Sequence, residues 1–440
     1  MGNRIRFTKL NFLSFMESTF KIVIINQTFS VNYFKRRWKL FAEKHPNVDV
    51  TLFAHDKHEW NGSKNFTFGQ AYTLQAKEED EGNYHVRSIR VKVSKLIGWT
   101  SPDLKPLLQE IRPDVIYHIG GHNMASLRQV LKIREKYLPQ TKVIAFSMRG
   151  PQQNIRVKKS KCSPTRWIAR RLLYAYQRWN IPYINRHVDA FFCHYPKAVE
   201  CFRMEGYNGP IYMQTQVGVN EEWFHEDLAA RKEIREKYAI VDSTYVFGSA
   251  TRFSTDKGVD VILKALPKEG DWKYLMMGAG RDDEIQRLRN LIKERGLQDK
   301  VIETGFIDWY EIAKYWNAVD CAIHVPLTTE RWEETFSLAA IQPQITRKPV
   351  IGDTSGSVPY QIGFPEMIVP EGDVEALHEK ILWVLNHKEE AKAMGEKMYQ
   401  RTHDGFEIQH LNDLFYATIV EDILPEKFDK RKTDMTHWET

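Results

Sequence analysis

The sequence predicts an α/β protein of two successive doubly wound parallel-sheet halves facing a central cleft. Three observations lead there. At 440 residues the chain exceeds what one hydrophobic core serves and suits two domains. Short apolar runs alternate with amphipathic stretches of helical length, as parallel strands covered by helices require. The alternation breaks near 217–223 and then starts again.

Taken in order, apolar runs at 21–26, 48–54, 115–118, 142–147, 190–194 and 211–215 read as strands of the first half. Between them 36–45, 104–110, 124–136 and 198–205 carry helical periodicity. The second half repeats the cycle with strands at 245–250, 272–278, 301–304, 321–325 and 350–353. Its helices fall at 258–266, 282–295, 309–318 and 337–346. These spacings divide the chain into an extension over 1–19, an N-terminal domain over 20–216 and a C-terminal domain over 217–405. A helix over 406–425 is expected to return to the first domain, ahead of a charged tail over 426–440.

Apolar residues make up 42% of the chain and charged residues 27%, as in soluble globular proteins. A net charge of +6, from 63 basic and 57 acidic side chains, is too small to argue for nucleic acid, and no nucleic-acid reading module is present. Cys162, Cys193, Cys201 and Cys321 lack CxxC spacing and a zinc-spaced histidine, which fits reduced thiols in a cytoplasmic protein. No run approaches the roughly 20 apolar residues that span a bilayer.

Ligands of open parallel sheets bind beyond the carboxyl ends of the strands, so motifs at those ends carry the functional reading. The first is Gly248-Ser-Ala-Thr-Arg252-Phe-Ser-Thr-Asp-Lys257-Gly258, where Arg252 and Lys257 share a loop and can converge on one anion. Basic residues in a surface loop are more often merely solvated. The second is Glu333-Glu334-Thr-Phe-Ser-Leu-Ala-Ala-Ile-Gln342. Glu334 precedes a helix start whose free amides, over Thr335, Phe336, Ser337 and Leu338, could hold a phosphate, and Gln342 could bond a ribose. The plain alternative is an acidic helix cap. The third is Tyr117-His118-Ile-Gly-Gly-His122, which puts a histidine at a strand end, and a structural histidine is its alternative.

Together GSATRFSTDKGVDVILKAL, TGFIDWYEIAKYWNAVDCAIHVPL, EETFSLAAIQPQITRKPVIGDTSGSVP and the linker GVNEEWF resemble the donor domain of glycosyltransferase family 4. The resemblance is strong over 218–425 and weaker over 20–215, where FKIVIINQTF, RPDVIYHIGG and RHVDAFFCHYPKAVECF follow in the expected order. It implies a GT-B fold of two Rossmann-like domains and a retaining sugar transfer from a nucleotide-diphosphate sugar, with that donor as substrate and no cofactor. Arg252 and Lys257 would neutralise the leaving diphosphate, Glu334 would contact the sugar, and His118 would be the N-domain histidine. Gly305, Phe306 and the amides over Thr335, Phe336, Ser337 and Leu338 would line the donor. The family's second glutamate, which binds the ribose, is Gln342 here, and the glycine-rich loop after the first strand reads Asn26-Gln-Thr-Phe-Ser-Val-Asn32. No Asp-x-Asp occurs, which implies a metal-independent reaction. A glycan or lipid-linked acceptor is expected. Two other readings are a catalytically silent homologue, acting as a nucleotide-sugar binder or partner subunit in glycan assembly, and an epimerase.

Between Lys136 and Val188 there is no Asp or Glu. Within it 156–179 is rich in Arg and Lys, and from Thr165 a helix would place Ile168, Leu172, Tyr176 and Trp179 on one side, flanked by Arg166, Arg170 and Arg178. Such a helix suits an anionic membrane surface on the inner face, or packs its stripe on the N-domain core.

Overall fold

The computed structural model describes residues 19–30, 32–59, 73–75, 77–94, 97–122, 124–148, 150, 163–330 and 332–428. The N-terminal sheet has eight strands in the order Ile211–Tyr212, Ala190–Phe192, Lys142–Phe146, Val115–Ile119, Phe20–Asn26, Val48–His55, Tyr84–Ile89 and Glu79–Glu81. All neighbours pair in parallel except the last two, which are antiparallel. The C-terminal sheet has six parallel strands, in the order Val301–Gly305, Trp272–Met277, Tyr245–Ala250, Cys321–His324, Val350–Asp353 and Ile368–Val369. These are two doubly wound halves, as the sequence predicts.

Strand Tyr84–Ile89 has no counterpart in the sequence reading. It lies one place from the sheet edge, so its YHVRSI alternates buried and half-exposed positions instead of forming an apolar run. Among the described residues four further helices, Leu228–Lys237, Val358–Ile362, Val374–Asn386 and Lys388–Phe406, complete the C-terminal half.

After Lys388–Phe406 the chain crosses back. Helix Ile408–Thr418 and the π turn Ile419–Ile423 put Phe415, Ile419, Val420 and Ile423 into the N-terminal core beside Trp38, Phe41 and Tyr117. Buried Arg37 ties this junction together: its guanidinium donates to Asn412 Oδ1 at 3.0 Å, the Thr215 carbonyl at 2.8 Å and the Leu411 carbonyl at 3.3 Å. Burial lowers its pKa to about 10. The two crossings run side by side. Val219 N–H donates to the Phe406 carbonyl at 3.0 Å, and Ile408 N–H returns a bond to Val219 at 2.9 Å. Gly218 allows this approach, since a Cβ there would collide with the Phe406 carbonyl.

Helix Pro164–His187 leaves Ile168, Leu172 and Trp179 at 50%, 56% and 59% exposure. The apolar stripe is therefore not packed into the core. Arg128 lies between the Trp179 and Tyr183 rings, at 3.8 and 4.0 Å. Residues 156–162, including Cys162, and the side chains of Arg166 and Arg170 lie outside the described residues, as do 1–18 and 429–440. Cys193, Cys201 and Cys321 are buried free thiols. Among the described residues no helix is long and apolar enough to cross a membrane.

Candidate active site

Strand Tyr245–Ala250 delivers the chain to the loop that holds Arg252 and Lys257. Arg252 bonds Ser254 Oγ through Nε at 3.2 Å and pairs with Asp256 at 3.2 Å, one turn on. The 3-10 turn Thr255–Lys257 ends at Gly258, whose φ of +68° suits only glycine without strain. A Cβ at Gly258 would strike the Val325 carbonyl, so the turn is pressed against the end of the neighbouring strand Cys321–His324. This packing aims Lys257 across the sheet edge.

There Lys257 Nζ lies 2.9 Å from Glu334 Oε2 and 3.9 Å from the centre of the Trp332 ring. His324 Nε2 is 3.8 Å from the same Glu334 oxygen, and burial beside Lys257 lowers its pKa to about 3, which keeps it neutral. The backbone of Glu334 is fixed from the other side. Its carbonyl accepts from Ser357 N at 2.8 Å, and Gly356 packs too tightly on it to admit a Cβ.

Strand Val350–Asp353 ends on Asp353, whose carboxyl is driven up to about 8 by burial. One of its oxygens accepts from Ser355 N at 3.0 Å, and the other has no hydrogen-bond partner. Beside it Thr328 Oγ1 joins Ser355 Oγ at 3.0 Å and donates to Glu371 at 2.8 Å. None of Trp332, His324, Asp353 or Glu371 was singled out from the sequence. His324 and Asp353 both end apolar strands, the one signal that could have found them.

The other expected residues divide. Helix Leu338–Ile345 starts after Ser337, whose N–H donates to Gln361 Oε1 at 2.9 Å, so that amide already has a partner. Gln342 is buried, and its Oε1 accepts from the Trp316 indole at 3.2 Å. Phe336 stacks on His194 of the N-terminal domain at 4.6 Å. Thr335 and Leu338 flank it, half-buried. Gly305 and Phe306 lie at the carboxyl end of Val301–Gly305, on the same sheet edge, with Phe306 exposed.

His118 stands apart from this group. Alternation along Val115–Ile119 turns it, with Ile116, away from the face that receives the C-terminal helix. It is fully buried, with Nε2 3.0 Å from Ser126 Oγ and its ring stacked at 6.0 Å on Trp99. Among the described residues, His194, Tyr195 and Lys197 of the N-terminal domain reach the Glu334 loop, beside Gly150. Tyr195 Oη donates to Glu333 Oε1 at 2.8 Å, and Lys197 Nζ lies 3.7 Å from Glu333 Oε2.

A cation and a carboxylate thus meet at the carboxyl edge of a parallel sheet, roofed by the other domain. Such a site can hold an anionic group and a hydroxyl-rich one side by side.

Residues 230–401 match the family model described as glycosyl transferases group 1. Over 186 residues the chain is 25% identical to a GDP-mannose-dependent alpha-(1-6)-phosphatidylinositol monomannoside mannosyltransferase of Mycobacterium tuberculosis. That alignment covers 40% of this chain and 48% of that protein, so the chain spans about half the length of the curated relatives it matches. Among solved structures, sucrose-phosphate synthase from Thermosynechococcus elongatus superposes with a TM-score of 0.65 at 16% identity, over 92% of this chain and 99% of that one. Anabaena HepE in complex with UDP gives 0.63 at 15% identity, over 91% and 100%. The chain has the GT-B fold, and the family model and the curated relatives support a GT-B glycosyltransferase.

Proposed function

We propose that this chain is a retaining glycosyltransferase that moves a sugar from a nucleotide-diphosphate sugar to a glycan or lipid-linked acceptor without a metal ion. The observation that carries the reading is the Lys257–Glu334 pair, 2.9 Å apart at the sheet edge, with Arg252 on the same loop. Arg252 and Lys257 neutralise the diphosphate as it leaves, where developing charge gains most from preset cations. Glu334 holds sugar hydroxyls. The acceptor oxygen bonds to the anomeric carbon from the face the phosphate leaves, and the departing phosphate oxygen takes the acceptor's proton. No enzymic nucleophile is required. The relatives' GDP-mannose dependence and the UDP bound in a structural neighbour belong to the donor class this site suits. The enzyme works in the cytoplasm, on the inner membrane face, held there by 156–179; the exposure of Ile168, Leu172 and Trp179 supports that contact.

A second reading, a silent homologue that binds the donor without turning it over, draws on Gln342 being committed to Trp316. One experiment separates the two. Thermal shifts with UDP-glucose, UDP-galactose, UDP-N-acetylglucosamine and GDP-mannose are expected to single out one stabilising donor. That donor is then expected to release its nucleoside diphosphate at a rate unaffected by EDTA. Binding without release favours the silent homologue, and loss of release in EDTA removes the metal-independent mechanism.

A further inference from the structure

We infer that Tyr195 and Glu333 form a clamp across the domain boundary that positions Glu334 for the donor sugar. Two adjacent glutamates face opposite domains. Glu334 turns to Lys257 within the C-terminal half, whereas Glu333 turns to Tyr195 and Lys197 of the N-terminal half. Glu333 and Tyr195 are both buried, so the hydroxyl–carboxylate bond of 2.8 Å is formed out of water, where a charge-assisted bond is strong and directional.

Four further contacts make this a built junction. Gly150 lies so close that a Cβ there would sit 2.9 Å from Tyr195 Oη and 3.0 Å from Glu333 Oε1. His194, the residue before Tyr195, stacks on Phe336 at 4.6 Å, and Phe336 in turn meets Phe406 at the interdomain crossing at 5.8 Å. The His194 ring is oriented by Thr215. The Thr215 hydroxyl gives its one proton to the Val217 carbonyl, so it accepts from His194 Nδ1 at 2.8 Å. The loop 333–336 is therefore gripped by the N-terminal domain at its start and near its end, and Glu334 lies between the grips. Without the N-terminal half, Glu333 loses Tyr195 and Lys197 and Phe336 loses His194, which leaves Glu334 held only by Lys257, Ser357 and Gly356 of its own half. Tyr195 and Glu333 are positioning residues: they touch no donor and act through Glu334.

The inference rests on the proposed role of Glu334 at the donor sugar, and its test separates the two. In the full-length chain, binding of UDP and GDP without sugar is measured by calorimetry, and nucleoside diphosphate release is followed from the four nucleotide sugars of the donor panel. Tyr195→Phe and Glu333→Ala are expected to leave nucleoside diphosphate affinity unchanged and to slow release about tenfold, the scale of one charge-assisted hydrogen bond. The double variant is expected to be no slower than the worse single one, because both remove the same bond. Glu333→Gln keeps an oxygen acceptor for Tyr195 and is expected to retain most of the rate. Gly150→Ala, which wedges the pair apart, is expected to match Tyr195→Phe. Release at the wild-type rate in Tyr195→Phe and Glu333→Ala overturns the clamp. So does a parallel fall in nucleoside diphosphate affinity and melting temperature, which marks a merely structural contact. A wild-type chain that neither binds nor turns over any of these probes removes the glycosyltransferase reading itself.

Discussion

Lys257 and Glu334 are 77 residues apart in sequence, yet their side chains share a proton-bridged contact at the mouth of one sheet. Glu334 is 7% exposed and Lys257 16%, so removing either one leaves the other largely out of water without its ion-pair partner. Lys257→Ala is expected to abolish transfer and also to destabilise the fold by about 2 kcal/mol, less than a fully buried pair would cost because Lys257 is partly open to solvent. Lys257→Ala combined with Glu334→Gln is expected to regain most of that stability in urea titrations while staying inactive. Arg252→Ala removes a cation that bonds Ser254 and Asp256, and its turnover is expected to fall by roughly 10²-fold. Wild-type turnover in Lys257→Ala would end the proposed chemistry.

At the scale of the element, helix Pro164–His187 keeps much of its apolar surface out of its own domain's core. Its Ile168, Leu172 and Trp179 face outwards, while Arg171 and Arg178 are exposed on the same helix and Lys132 and Lys136 lie on the neighbouring helix Ala125–Tyr137. Apolar side chains that reach water beside cations suit an anionic lipid surface, each basic residue adding about 1 kcal/mol near it. Vesicles containing phosphatidylserine are expected to carry the chain upward in flotation, and neutral vesicles are not. Replacing Leu172 and Trp179 together by serine is expected to abolish flotation. Equal recovery with both vesicle types would leave the helix without a lipid role.

Over the whole molecule, buried titratable groups set how stability follows pH. Burial lowers the histidine pKa from 6.5 to about 4 in His45 and His118 and to about 3 in His194 and His324. Each binds its proton more readily when unfolded, so its contribution is complete above 6.5 and drains away as pH falls toward the folded value. Each such group steepens the slope by up to about 1.4 kcal/mol per pH unit. Asp353 works in the opposite sense. Raised from 3.8 to about 8, it favours the folded state fully below 3.8 and loses that advantage as pH climbs through 8. Four histidines outweigh one carboxyl in acid, and above 6.5 only the carboxyl remains of these five. The melting temperature is therefore expected to peak near pH 6.5, falling steeply toward pH 4 and gently toward pH 8. A flat profile between pH 4.5 and 6.5 would contradict the buried neutral histidines.

Local pattern alone carried the two-sheet architecture, because apolar runs buried on both faces and amphipathic helices advertise themselves residue by residue. It also carried the loop of Arg252 and Lys257, since a cation just past a strand end is a local feature. Strand Tyr84–Ile89 escaped because an edge-side strand mixes polar with apolar residues. Which histidine meets the 333–336 loop was beyond sequence reasoning. His118 and His194 both stand at or just past strand ends, and only the packing turns one toward Ser126 and the other onto Phe336. The carboxylate trio of Glu333, Glu334 and Asp353 acquired its distinct partners in the same way. Pattern along the chain records burial, but the direction a buried polar group faces depends on what the rest of the molecule brings to it, and here that was the second domain.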